Sequence, residues 1–111
     1  MEAAVREFKR VLQPGGDLFI TVPYGKPRDF THSRIFTKEL VSSVMAAFSP
    51  VDHEMAYYFY DGSGWQVSTE PECAAAEYEE WCMQPPPQPP FPARADGLAA
   101  AQAVVCMRLV K

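Results

Sequence analysis

The chain has 111 residues, of which 48% are apolar, 13% aromatic and 22% charged. That composition allows one small folded domain, residues 1–111, and excludes a disordered chain. The net charge is −4, and residues 51–80 hold eight acids with no Lys or Arg, which excludes nucleic-acid binding as the main activity, because neutralising phosphates needs a basic face.

Cys73, Cys82 and Cys106 are odd in number and lack C-x-x-C spacing, and His32 and His53 stand far apart. Neither a disulfide framework nor a metal site is expected from them. No targeting signal is legible, and the apolar runs fall far short of the roughly 20 residues that cross a bilayer. A cytoplasmic chain with reduced thiols and no membrane partner is the expectation.

In chain order, residues 2–13 predict a helix, with Val5, Phe8, Val11 and Leu12 on one stripe. Pro14 stops it and Gly15-Gly16 make the exit turn. Residues 17–23 predict a strand. Leu18, Phe19, Ile20 and Val22 form a nearly continuous apolar run, the pattern of a strand covered on both faces. Residues 24–36 read as a loop. Thr37 is the predicted N-cap of a second helix, with Leu40, Val41, Val44, Met45 and Phe48 as its apolar stripe.

Residues 51–60 predict a strand with Val51, His53, Met55, Tyr57 and Phe59 on one face. On that apolar face His53 is expected to be a satisfied structural histidine. Residues 61–64 form a turn, and Trp65, Gln66 and Val67 a short extended piece. Thr69 and Glu72 match a capping box, predicting a third helix over residues 70–81. Six prolines between Pro85 and Pro92 place an extended Pro-rich loop at residues 83–96. Residues 99–110 then predict a closing strand.

Residues 7–23 read EFKRVLQPGGDLFITVP, and residues 32–54 read HSRIFTKELVSSVMAAFSPVDHE. The first closely resembles a segment of class I S-adenosylmethionine (SAM) dependent methyltransferases, in which a helix ends in R-h-L-k-P-G-G (h, apolar) before the fifth strand. Arg10, Val11, Leu12, Pro14, Gly15, Gly16 and Leu18 carry the match. The second resembles the family's next helix and sixth strand, through His32, Arg34, Phe36, Thr37, Leu40 and Phe48. Ala47 stands where the family usually has Gly.

The resemblance covers about four-fifths of the chain, is weakest over residues 55–92, and implies an α/β fold. The implied sheet is the C-terminal part of a Rossmann-like methyltransferase sheet, three-stranded and mixed. Its last strand would run antiparallel between the other two, with flanking helices. The implied activity is methyl transfer from SAM to a small-molecule or sugar-like acceptor.

The Gly-rich loop that seats SAM after the first strand of such sheets has no counterpart here. No G-x-G-x-G exists, and Gly15-Gly16 follow a helix. SAM is thus implied for a full-length parent, and this chain alone is expected to be inactive. Without a fourth strand beside it, one edge of residues 17–22 is left to self-associate or to pair with another chain.

Methyl transfer asks a protein mainly to align the acceptor and sometimes to remove a proton. The loop after the strand at 17–23 lies at the carboxyl edge of the sheet, where ligands bind in open α/β folds. His32 is the candidate base, since its ordinary pKa lies near neutrality. Tyr24, Arg28 and Arg34 are the candidate acceptor contacts. Tyr57, Tyr58, Phe59, Tyr60 and Trp65 are a candidate aromatic wall. The competing reading is a non-catalytic α/β interaction module that uses the sheet edge or the Pro-rich loop.

Overall fold

The computed structural model describes residues 1–27, 34–78 and 101–111. The order is α1 (Glu2–Val11), β1 (Asp17–Pro23), α2 (Lys38–Phe48), β2 (Asp52–Tyr60), β3 (Trp65–Ser68), α3 (Glu70–Ala74) and β4 (Ala103–Val110). The Pro-rich loop lies outside the described residues. None of the described helices is long and apolar enough to cross a membrane.

The P-G-G turn works as a clasp. Gly15 adopts φ 79°, which favours glycine. Its N–H donates to the Lys111 carbonyl at 2.9 Å, and the Lys111 N–H returns a bond to the Gly16 carbonyl at 2.9 Å. Lys111 Nζ also donates to the Leu12 carbonyl at 2.6 Å, placing a cation on the C-terminal carbonyls of α1. Lys111, just past β4, is therefore tied to the C-terminal end of α1.

Thr37 caps α2, its Oγ1 accepting from the Leu40 N–H at 3.4 Å. The predicted capping box at Thr69 is not formed. Thr69 makes no side-chain cap, and Glu72 accepts from the Ser68 hydroxyl at 2.7 Å. The third helix is accordingly one short piece ending at Ala74 rather than a helix over 70–81.

The fold is α/β with an open four-stranded sheet of order β1-β4-β2-β3. Three strands were expected. The fourth is the short piece after the 61–64 turn, where Asp61 Oδ1 accepts from the Ser63 and Gly64 N–H groups and folds β3 back on β2. Nor is the sheet mixed: every neighbouring pair is antiparallel. β4 lies between β1 and β2, with Ile20 opposite Met107 on one side and Met55 opposite Met107 on the other.

One side of the sheet forms the core. Val105, Met107 and Leu109 of β4 meet Leu18, Ile20 and Val22 of β1, Met55, Tyr57 and Phe59 of β2, and Val5, Val41, Val44 and Phe48 from the helices. The other side is open among the described residues. β1 was expected to be covered on both faces, but it alternates between exposed and partly buried, and Phe19 is 71% exposed. The reason is that α1 and α2 both pack on the same face. An unbroken apolar run shows that a strand tolerates two covers without showing that both are present.

Candidate functional site

The carboxyl end of β1 is clamped to the segment around α3. Tyr24 is buried, and its hydroxyl donates to Glu70 Oε1 at 2.7 Å. Its ring meets Tyr57 edge-on, at 5.2 Å between centroids and 76° between planes. Gly25 follows with its backbone against Ala76, and the Lys26 N–H donates to the Ala76 carbonyl at 2.9 Å. Lys26 and Glu77 add an exposed ion pair at 3.1 Å.

Burial, then the Glu70 carboxylate, raise the Tyr24 phenol pKa well above its ordinary value of 10. Burial and Glu70 act on Tyr57 in the same direction. Both phenols therefore act as neutral hydrogen-bonding groups. A folded-state pKa raised above the unfolded one gives stability that is complete below about pH 10 and is lost as pH climbs toward the folded value. Removing the Tyr24 hydroxyl, as in Tyr24→Phe, is expected to lower stability at pH 7 by about 1.5–3 kcal/mol, the range for a hydrogen bond to a charged group. Urea melts at pH 7 and pH 11 are expected to show a smaller alkaline loss in the variant. Equal losses in both would show that Tyr24 does not govern the alkaline limb.

Beside the clamp lies a hollow of about 370 Å³. Lys38, Val41, Ser42 and Met45 line it from one stripe of α2, and His53, Met55 and Tyr57 from β2; Glu70 closes one end. An apolar floor with a few polar groups at the rim suits a small organic molecule. Glu70 and His53 offer hydrogen-bonding groups there, and Lys38 a positive charge that could hold an anion.

The predicted site residues fall differently. Tyr24 lies in the core, engaged by Glu70. Arg34 is exposed, in the segment that runs beside the end of β1, where the Phe36 N–H donates to the Pro23 carbonyl at 2.9 Å. Arg28 and His32 lie outside the described residues. The aromatic wall does not form as one surface, since Tyr57 and Phe59 join the core while Tyr60 stacks edge-on with Trp65 at 5.4 Å. His53 is exposed at the rim of the hollow rather than satisfied in a core. Lys38 and Glu70 were missed as site residues; only the chain's return through β2 and α3 brings them together.

Three of the described glycines are engaged within the fold. Gly15 and Gly16 are held by Lys111, and Gly64 belongs to the Asp61 turn. Among the described residues no three His, Cys, Asp or Glu side chains converge as metal ligands. Compared with known proteins, the chain matches no family model, no curated protein and no solved structure.

Proposed function

We propose that these residues are the C-terminal, substrate-side part of a SAM-dependent methyltransferase acting on a small-molecule or sugar-like acceptor. SAM would be held by residues outside them. The observation that carries the reading is the strand order. β1 and β2 run in the same direction, and the later β4 enters antiparallel between them. The P-G-G and H-x-R-x-F-T resemblances imply that arrangement for the family's last three strands. The uncovered sheet face and the outer edge of β1 leave room for a cofactor-binding layer.

This chain's part would be acceptor positioning at the carboxyl end of β1 and in the neighbouring hollow. The described residues do not fit SAM, so no transfer step is assigned to them. Calorimetric titration of the chain with SAM is expected to give no saturable heat; micromolar binding would show that the chain builds a cofactor site after all. The reading itself is tested on the transcript. An in-frame G-x-G-x-G after an apolar strand, encoded upstream of Met1, is expected. A stop codon and promoter directly upstream favour the interaction module.

A further inference from the structure

Among the described residues, the outer side of β1 is unpartnered in both layers of the fold. In the sheet, Tyr24 donates its N–H to the Ala103 carbonyl, so the even-numbered residues of β1 bond to β4. The alternation of an antiparallel ladder then turns the N–H and C=O groups of Asp17, Phe19 and Thr21 outward. Past Thr21 the edge closes, because Pro23 has no N–H and its carbonyl is taken by Phe36. Three consecutive outward residues remain, with no bulge, no Lys and no Pro among them. Natural edge strands usually carry such protection against pairing. The opposite edge, β3, is only four residues long.

The helix layer repeats the pattern. α2 shares the hollow with β2, so it stands toward the β2 side of the sheet, and α1 packs on its other flank. On α1, Val5 is buried, Leu12 packs on the core, and Lys9 reaches the Phe48 ring and the Ser49 carbonyl at the end of α2. Phe8 and Val11 lie on one stripe turned away from α2, and they are 48% and 63% exposed. The apolar side chains of α1 thus continue past the core on the side where β1 ends the sheet.

We infer that two copies of this chain pair through β1, antiparallel about a two-fold axis at Phe19, into one continuous sheet. That register makes the best use of the open window. Phe19 faces Phe19 of the second copy, and Asp17 faces Thr21, giving hydrogen-bonded pairs throughout. On the open face the two phenylalanine rings meet across the axis, a favourable cross-strand pair, and each Asp17 carboxylate faces a hydroxyl rather than another acid. On the helix face Leu18 lies opposite Ile20, extending the core across the junction. Above them the two α1 helices run antiparallel, and Phe8 and Val11 gain apolar partners. Isologous pairing of this kind needs one self-complementary patch, which this side supplies in both layers.

The pairing takes the edge that the methyltransferase reading leaves to a cofactor-binding layer, so it is a property of this chain by itself, and sedimentation tests it without reference to SAM. The full chain is expected to sediment as a dimer at tens of micromolar. Phe19→Lys and Val11→Glu each replace an exposed side chain, so circular dichroism should be unchanged. Each is expected to weaken dimerisation by at least about tenfold, the effect of losing one buried apolar contact. Hydrogen exchange supplies a second reading: the Phe19 and Thr21 amides should gain protection as protein concentration rises. A chain that stays monomeric, its edge left open or taken by another segment, overturns the inference. So does a dimer that either substitution leaves intact, or one in which those two amides exchange freely.

Discussion

Truncating Phe48 to Ala is expected to leave little folded protein at 37 °C. The Phe48 side chain is 0% exposed at the end of α2, packed in the cluster that joins both long helices to the sheet. Its ring also lies under the Lys9 ammonium, 5.5 Å from the centroid. A buried Phe→Ala change costs about 3–5 kcal/mol, through lost transfer free energy and an unfilled cavity. Whole domains are stable by only about 5–15 kcal/mol, and a chain this short belongs near the lower end. A fall of roughly 15 °C or more in the thermal midpoint follows. Val67→Ala, at an 81% exposed position, is the control and should stay within about 0.5 kcal/mol of the parent. Similar midpoints for the two variants would mean that the core is not organised around Phe48.

Gly25→Ala is the second large effect, and its cause is collision rather than a void. A Cβ on Gly25 would stand 2.4 Å from the Ala76 carbonyl oxygen and 3.0 Å from its carbon. Both are backbone atoms, so no side-chain rotation relieves the contact. Either β1 or the segment after α3 must move, which puts at risk the Lys26 to Ala76 hydrogen bond and the Tyr24 to Glu70 bond. Overpacking of this kind costs about 1–3 kcal/mol, and each disrupted hydrogen bond adds about 1 kcal/mol. Gly15→Ala is the comparison: it meets open space but must hold φ 79°, at a cost of about 1 kcal/mol. Urea melts should therefore rank Gly25→Ala below Gly15→Ala. The reverse order would mean that the β1 clamp gives way without cost.

The sequence made some elements plain and hid others for physical reasons. α2 was legible because Thr37 and the stripe through Val41, Val44 and Phe48 are local signals, and the structure uses all of them. The bounds of α1 were close for the same reason. β3 was seen only as an extended piece, because four residues carry too little pattern to announce a partner. The single cover on β1 was illegible: its apolar run has no alternation to say which face stays open.

Nothing local in residues 103–110 says that they lie at the centre of the sheet; only the family resemblance suggested it. In the candidate site, Tyr24 was singled out, yet its partner Glu70 lies 46 residues away. His53 was given the correct face and the wrong burial. β3 pairs only with Tyr57–Tyr60, so the first half of β2 runs on beside an open hollow.

The central position of β4 has a consequence for how the molecule comes into being. β1 and β2 share no ladder of their own, and each meets the other only through residues near 103–110. A ribosome makes β1 and β2 long before that common partner. Until it emerges, two apolar strands must wait with open edges, and the ordering entropy of a loop of more than 80 residues, Pro23 to Val104, stands against closure. The sheet is therefore expected to close only once residues 103–110 have left the ribosome. Nascent chains stalled before residue 103 are the species that would most need a chaperone.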